Sequence, residues 1–243
     1  MKQKHREAKY CWSFGGGVQS WALVAAAVLE LIDWPDVIVF ADTVSEHPET
    51  YEFIERHKAH MGSQFKVVKP GDYRTGVQLG LLDEMYHSKK VRIPARVGRG
   101  GFFNRTCTRE WKARRVSKFL RTEYSKGPWK TAIGFSLDEV ERIKPSRTQW
   151  QKFIYPLLEL RLTRSSCAAL CMKVFGEVPI KSSCVFCPFH SSLYWRALEH
   201  NYPDVWSVVK KLESDIRIWE SSPELNITSG DGQMLLCEST CWT

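Results

Sequence analysis

Residues 9–20 of the chain read KYCWSFGGGVQS and place three consecutive glycines between two apolar stretches. The run over 9–14 predicts a buried β-strand, and the run over 18–32, which lacks glycine and proline, predicts a helix. Glycines at such a junction let the backbone approach a ligand closely and adopt positive φ. The free N–H groups and positive dipole end of the helix then favour an anion, most naturally a phosphate. The alternative is a tight strand-to-helix turn without a ligand.

The alternation of strands and helices continues along the chain. Predicted strands over 36–41, 65–68 and 129–135 alternate with helices over 49–60 and 110–124, which indicates a parallel sheet with right-handed crossovers. We therefore predict an α/β fold with a Rossmann-like parallel sheet over residues 8–160. A helical, cysteine-rich C-terminal region over 161–243 is expected to pack on it. Residues 70–106 are glycine-rich and carry a basic segment, so we expect an excursion or lid there rather than core.

The bulk composition favours a phosphate-bearing partner. The formal net charge is +8 and the pI is about 9.1, which attracts nucleotides or nucleic acid, although a solvated basic surface would give the same figures. No apolar run approaches the ~20 residues that span a bilayer. Residues 1–9 are basic and polar and do not resemble a secretory signal. We expect a cytoplasmic protein with no membrane partner.

A second polar segment follows the second predicted strand. Asp42 and Thr43 stand where the side chains of a parallel sheet face the ligand crevice, and they could bind ribose, phosphate or a nucleotide-bound metal. The alternative is a helix cap formed by Thr43 or Ser45. The spacing from Asp42-Thr43 to the Pro-Glu-Thr-Tyr run over 48–51, together with the glycine loop, resembles the phosphoadenosine phosphosulfate (PAPS) reductase and ATP pyrophosphatase superfamily. That PP-loop superfamily has the adenine nucleotide alpha hydrolase-like fold.

The resemblance implies which residues bind the nucleotide. The usual pyrophosphatase loop is Ser-Gly-Gly-x-Asp-Ser, and residues 15–20 match it with the first Ser and the Asp replaced. Gln19 at the Asp position is closer to the reductase branch, whereas Ser20 is closer to the pyrophosphatase branch. The resemblance implies ATP or another adenine nucleotide, with Mg²⁺, bound by Ser13, Gly15, Gly16, Gly17, Gln19, Ser20, Asp42, Thr43, Gly134 and Glu139.

The segment after the fourth predicted strand supplies the last of these residues. Ser136 and Glu139 have the spacing of a helix capping box. The resemblance places this region over the nucleotide and implies that Arg142 contacts phosphate or sulfate, which guanidinium groups bind bidentately. The alternative is that Glu139 and Arg142 form only an exposed helical pair worth a few tenths of a kcal/mol.

Eight cysteines suggest metal or redox chemistry, because disulfides are rare in the cytosol. Cys107 is flanked by Arg105, Arg109 and Lys112, surroundings that favour a thiolate, although a buried structural cysteine is the alternative. Cys184 and Cys187 have the spacing of a metal-binding turn. The i, i+4 pair Cys167 and Cys171 is expected to pack in the core.

The resemblance implies that Cys107, Cys184 and Cys187 are ligands of a [4Fe–4S] cluster. The fourth ligand stays open among Cys237, Cys241, His190 and no protein ligand. A structural Zn²⁺ held by the same cysteines and His190 is the alternative. The expected catalytic residues are Cys107, Arg109, Lys112 and Arg142.

Three functions are consistent with these patterns. The first is an enzyme that converts ATP to AMP and pyrophosphate and activates a target, such as DNA or RNA, for sulfur transfer from a donor protein. The second is a reductase that releases sulfite from phosphoadenylyl sulfate or adenylyl sulfate with a thiol reductant protein. The third is a zinc-stapled nucleic-acid-binding protein with a vestigial nucleotide pocket.

Overall fold

The computed structural model describes residues 9–70, 79–98, 101–103, 106–124, 127–146 and 148–228. Arg105, Cys237 and Cys241 lie outside these ranges. Over the described residues the chain forms two compact units. The first holds residues 9–41, 48–68 and 114–182, and the second holds 42–47, 69–113 and 183–228. The predicted domain division between 160 and 161 stays a prediction.

The strands and helices of the two units are numbered together in chain order. The strands are β1 (Lys9–Phe14), β2 (Val37–Ala41), β3 (Phe65–Val68), β4 (Arg96–Val97), β5 (Gly101–Phe102), β6 (Trp129–Ile133), β7 (Gln151–Ile154) and β8 (Leu225–Asn226). The helices are α1 (Val18–Val28), α2 (Pro48–His57), α3 (Leu81–Ser88), α4 (Arg114–Glu123), α5 (Pro156–Glu159), α6 (Arg164–Phe175), α7 (Ser192–Asn201) and α8 (Pro203–Trp219). Lys58–Gln64 and Leu137–Arg142 are 3₁₀ segments, and a π-helix over Cys107–Ala113 runs directly into α4.

The first unit is built on a five-stranded parallel sheet in the order β3-β2-β1-β6-β7. The chain winds outward from β1 in one direction and then, from β6, in the other. This order confirms the predicted Rossmann-like fold. It also creates a switch point between β1 and β6, where ligands bind in sheets of this kind because the adjacent connections leave in opposite directions.

The core of the first unit lies between α1, α6 and one face of the sheet. Trp21 of α1 is fully buried and packs edge-to-face on Phe14, Phe53 and Phe175. Cys167 and Cys171 are fully buried on α6, which confirms their predicted packing role. Helix α1 ends at Val28 rather than at residue 32, because Glu30 adopts a left-handed φ of 58° that cannot continue the helix.

The second unit combines helices α3, α7 and α8 with a small antiparallel sheet in the order β5-β4-β8. Its core contains Leu81, Met85, Ile93 and Ala95, each at most 2% exposed. The prediction of an excursion without core over 70–106 is therefore wrong for these residues. Leu81 and Met85 lie one helical turn apart and share a face of α3. This apolar pair is too short a pattern to predict a core helix, because glycines precede it and cations follow it. Helices α6, α7 and α8 confirm the predicted helical character of the C-terminal part. Within the ranges given above, no helix is both long and apolar enough to cross a membrane.

Candidate nucleotide and thiol sites

The glycine loop joins β1 to α1 at the switch point of the sheet. Gly17 is the N-cap of α1, no side chain caps the helix, and its first turn carries no acidic residue. Helix N-termini leave N–H groups without an intrahelical acceptor, and their partial positive charge favours an anion. Gly16 has φ +79°, a conformation that costs other L-residues about 1–2 kcal/mol. The loop geometry therefore suits a phosphate.

Three side chains fix the shape of this loop. The Gly15 N–H donates to the Ser20 Oγ over 2.9 Å, and the Ser182 hydroxyl donates to the Gly15 carbonyl. A Cβ on Gly16 would lie 3.0 Å from the Cγ2 of Thr50. Ser20 was predicted at the site, but Ser182 was missed because it lies far along the chain.

Thr50 was also missed as a site residue, although it belongs to the Pro-Glu-Thr-Tyr run that carried the resemblance. It is 1% exposed, and its Oγ1 has no hydrogen-bond partner among the residues that the structure describes. A buried hydroxyl without a partner is costly. Its position beside Gly16 makes it a candidate donor to a bound phosphate.

The segment after β6 meets the start of α1. A Cβ on Gly134 would lie 3.1 Å from the carbonyl carbon and oxygen of Gln19, so any larger residue would push against the backbone of α1. The Gln19 Nε2 donates to the Glu139 Oε2 over 3.0 Å. Glu139 also pairs with Arg142. Gln19, Gly134, Glu139 and Arg142 are thus brought together, and their contact with a nucleotide stays a prediction.

Arg142 is held inside this cluster rather than on the surface. Its side chain is 6% exposed, and its guanidinium carbon lies 4.5 Å from the centroid of the Phe135 ring. The Arg142 Nε is buried with no hydrogen-bond partner in the described part of the chain. The alternative of an exposed helical pair is therefore wrong. Glu139 balances the positive charge of the guanidinium, and the Nε–H is left as a hydrogen-bond donor for a ligand.

The predicted residues Asp42 and Thr43 belong to the second unit. The Asp42 Oδ1 accepts the Val44 N–H over 2.7 Å, which forms a tight turn. Val44 has φ 58° and is half exposed, and a β-branched residue rarely adopts this conformation. Such strain costs about 1–3 kcal/mol and is often found at functional sites. The Thr43 hydroxyl donates to the Glu46 carboxylate, and the Ser45 hydroxyl donates to the Thr43 carbonyl over 3.3 Å, so both hydroxyls are used within this turn.

Glu46 links this turn to the cysteine segment. Its carboxylate is fully buried and accepts from the Lys112 Nζ over 2.7 Å and from the Thr43 Oγ1 over 3.4 Å. The Thr43 Oγ1 lies 3.3 Å from the Cys184 Sγ. The Glu46 backbone also forms an antiparallel bridge with Cys184. Glu46 was not among the predicted site residues, because an acidic residue before a helix is equally typical of a favourable helix start.

The Cys184 sulfur is held as a thiol. Burial, followed by the negative charge of Glu46, raises the pKa of Cys184 well above its ordinary value of 9.0. Lys112 and the hydrogen bond from Thr43 act in the opposite direction and are outweighed. Cys107 lies close enough to contribute to the same pKa. Lys112, which we predicted to activate a thiolate, forms its short ion pair with Glu46.

The remaining predicted thiol-site residues have distinct surroundings. Cys107 begins the π-helix, and its N–H donates to the Arg92 carbonyl over 3.0 Å. Arg109 is 66% exposed and pairs with Glu110 at the surface. Cys187 closes a turn by donating its N–H to the Cys184 carbonyl over 2.9 Å.

His190 braces the same turn. Its Nε2 lies 2.9 Å from the Cys184 carbonyl, which only accepts, so this nitrogen carries a proton and donates. A protonated nitrogen cannot ligate a metal. His190 therefore does not offer Nε2 as the fourth ligand in this arrangement.

Residues 9–70 and the other described ranges contain no group of three or more His, Cys, Asp or Glu side chains placed to hold a metal ion. The ligand set Cys107, Cys184 and Cys187 therefore stays a prediction, as does Mg²⁺. The donors in the described part of the chain are not arranged to hold a cluster or a zinc ion, and no reaction step is assigned to either.

Comparison with known families gives one match. The family described as phosphoadenosine phosphosulfate reductase domain matches residues 9–99 of the 243. The matched segment contains the glycine loop, Asp42 and Thr43, but not Glu139, Arg142 or the Cys184–Cys187 turn. A comparison with curated proteins gave no match. The family match supports a nucleotide-utilising protein, and it confirms the predicted resemblance of this chain to the PAPS reductase and adenine nucleotide alpha hydrolase-like superfamily.

Proposed function

We propose that the chain is an ATP pyrophosphatase that activates a nucleic-acid target for sulfur transfer. The observation that carries the proposal is the glycine loop at the switch point of the sheet. There the uncapped start of α1 faces the segment after β6 that holds Glu139 and Arg142. This arrangement suits a ligand with several phosphates, because N–H groups and a guanidinium converge on it.

The proposed reaction has two substitution steps. A carbonyl oxygen of the target attacks the α-phosphorus of ATP, and the bond from that phosphorus to the bridging β-phosphate oxygen breaks. Pyrophosphate leaves with the electron pair, and the target carries AMP. A sulfide equivalent from a donor protein then attacks the activated carbon, AMP leaves, and the carbonyl oxygen departs with it.

The residues of the first unit bind and stabilise phosphate in this scheme. The N–H groups at the start of α1 and the Thr50 hydroxyl donate to phosphate oxygens, and Arg142 offsets the charge that develops on the leaving group. The predicted set Ser13, Gly15, Gly16, Gly17, Gln19 and Ser20 shapes this pocket. In the second unit, Asp42 and Thr43 are the proposed contacts to ribose or nucleotide-bound metal. The thiols of Cys107 and Cys184 are the proposed sulfur-handling groups.

Product analysis tests the proposal. The purified protein is incubated anaerobically with total cellular nucleic acid as the target and sulfide as the sulfur source, with ATP in one arm and phosphoadenylyl sulfate in the other, and AMP, pyrophosphate and sulfite are measured. Formation of AMP and pyrophosphate in equal amounts from ATP is the expected result. ADP and inorganic phosphate as the only products would contradict cleavage at the α-phosphorus.

A reductase is the second candidate, favoured by Gln19. This residue replaces the acid of the pyrophosphatase loop and donates to Glu139. Sulfite from phosphoadenylyl sulfate, with ATP left intact, would establish the reductase and overturn the first proposal. Binding of zinc without turnover of either nucleotide would instead favour the zinc-stapled nucleic-acid-binding protein.

A further inference from the structure

A stretch of the second unit has an extreme charge pattern. Residues 85–109 contain seven lysines and arginines and no aspartate or glutamate. Most of this stretch lies outside the predicted nucleotide loop and outside the predicted metal ligands. A run of one sign with aromatic residues at 102 and 103 is typical of a surface that contacts a nucleic-acid backbone.

The structure folds part of this stretch into an aromatic and cationic surface. Strands β4 and β5 form an antiparallel pair in which Arg96 lies opposite Phe102. Phe102 is 49% exposed, and the Arg96 guanidinium carbon lies 5.7 Å from the centroid of its ring. The ring of Phe189 lies 5.2 Å from that of Phe102 at an interplanar angle of 61°. We call Arg96, Phe102 and Phe189 the hairpin surface.

Arg96 connects the hairpin surface to the turn that carries Cys184 and Cys187. Its Nη2 donates to the Pro188 carbonyl over 3.3 Å, and its Nε is buried without a hydrogen-bond partner in the described ranges. Pro188 and Phe189 directly follow Cys187 in the chain. A ligand on the hairpin surface would therefore lie beside the cysteine turn, within the same unit.

We propose that the hairpin surface binds a single-stranded segment of nucleic acid, with a base stacked on Phe102 and a backbone phosphate held by Arg96. Aromatic rings beside cations bind single strands in this way, because every unpaired base offers a face for stacking. A duplex hides those faces. The proposal rests on the proposed function, since it places the nucleic-acid target beside the cysteines.

A negative charge at one edge of the hairpin indicates which side the bound nucleic acid occupies. Glu224 lies against Gly98, whose N–H is 3.4 Å from the Glu224 carbonyl oxygen. A carboxylate at this end disfavours a phosphate backbone. We therefore place the single-stranded nucleic acid on the Phe102 side of the hairpin rather than over Gly98.

Fluorescence anisotropy with labelled oligonucleotides tests the inference. The probes are a single-stranded DNA and a single-stranded RNA of about 20 nucleotides and the matching duplexes, titrated at about 50 mM and 200 mM salt. The full-length protein is expected to bind one or both single strands more tightly than the duplex, and more weakly at the higher salt. The two single-stranded arms decide between DNA and RNA.

Variants localise the binding. Phe102→Ala is expected to weaken single-strand binding by about 5- to 100-fold, and Phe102→Trp is expected to preserve it, because stacking depends on an aromatic face. Leu193→Ala is the matched control, since Leu193 is an exposed apolar residue of the same unit, 72% exposed. An unchanged affinity in Phe102→Ala, or equal binding of duplex and single strand, overturns the inference.

ATP cleavage in the assay of the proposed function, measured in parallel with oligonucleotide binding, separates this inference from the proposed function. Production of AMP by a protein that binds no single-stranded oligonucleotide would overturn the inference about the hairpin surface and leave the proposed function standing. Single-strand binding lost in Phe102→Ala, in a protein that cleaves neither nucleotide, would support the surface and overturn the proposed reaction. Loss of self-association in Phe102→Ala, measured by sedimentation, would show that a second copy occupies the surface and would also overturn the inference.

Discussion

At the residue scale, Gly16 has two roles that can be measured separately. Its left-handed backbone affects stability, and its lack of a side chain affects nucleotide binding at the loop. Gly16→Ala is expected to cost about 1–2 kcal/mol of unfolding free energy, because an L-residue strains there. It should also weaken adenine-nucleotide binding, since the new Cβ would lie 3.0 Å from Thr50. Calorimetric titration and urea unfolding measure the two effects.

Gly176→Ala is the matched control for that change. Gly176 has φ +74° and a Cβ there would meet nothing within 4 Å, so the strain is similar but the loop is untouched. We expect similar destabilisation with unchanged nucleotide affinity. Equal loss of affinity in both variants would show that the effect is on stability rather than on the loop.

The pair of Glu139 and Arg142 supports a second prediction at this scale. The Arg142 side chain is 6% exposed, so Arg142→Met would leave the partly buried carboxylate of Glu139, 13% exposed, without its main partner. Removing one member of a buried pair costs about 3–5 kcal/mol. Combining Arg142→Met with Glu139→Gln should cost less than the sum of the single changes, in a double-mutant cycle of urea unfolding. Additive losses would contradict a coupled pair.

At the element scale, one carboxylate attaches the chain after β8 to helix α8. The Glu213 Oε1 accepts the Ile227 N–H over 2.6 Å and the Thr228 N–H over 2.8 Å, and Lys210 pairs with the same carboxylate. Burial alone would raise the pKa of Glu213. The bonds from Lys210, Thr228 and Ile227 outweigh burial and lower it below the ordinary value of 4.5.

The sign of this shift gives a pH dependence. A carboxyl with a lower pKa in the folded state stabilises the fold fully above its unfolded pKa, and this stability is lost as pH falls through the folded value. Glu213→Gln should therefore cost about 1–3 kcal/mol at pH 7, and the difference from wild type should shrink below about pH 4.5. Urea unfolding from pH 3 to 7 measures it, with the exposed Glu199→Gln on α7 as control. A difference that is constant across this range would contradict the prediction.

Helix α6 and strand β1 give a chemical prediction. Cys11, Cys167 and Cys171 are fully buried, and burial raises the pKa of each thiol to about 12. Thiolates are the reactive form, so iodoacetamide at about pH 8 should leave these three unlabelled in the folded protein and label them in urea. Peptide mass spectrometry gives the site of each label. Rapid labelling of Cys171 in the folded state would contradict the packing of α6 on α1.

At the scale of the whole molecule, the two compact units have separate hydrophobic cores. Leu212→Ala in the second unit should cost about 2–5 kcal/mol, since Leu212 is fully buried. Affinity for pyrophosphate at the glycine loop should persist while the protein stays folded, because the loop contacts described above come from the first unit. Leu23→Ala, the same change within α1, should lower both stability and affinity. Loss of affinity in Leu212→Ala at full folding would contradict this separation.

Much of the fold could be predicted from short-range pattern. The strands over 36–41 and 65–68 are dominated by apolar residues. Strands that alternate with helices predict a parallel sheet, because the crossovers between parallel strands are right-handed. The core over 81–95 could not be predicted in the same way. Its buried residues are spaced among charged residues and a proline, and their partners on α8 lie more than one hundred residues away.

Local sequence patterns predicted the Rossmann-like sheet, the glycine loop and the resemblance to one superfamily, because each depends on neighbouring residues and their spacing. The packing of distant segments was needed to show that Arg142 is buried against Glu139 and Phe135, that Ser182 and Thr50 shape the loop, and that Glu46 pairs with Lys112 beside Cys184. Burial and ion pairing depend on which distant segments meet. That outcome is a property of packing in three dimensions, and no local spacing encodes it.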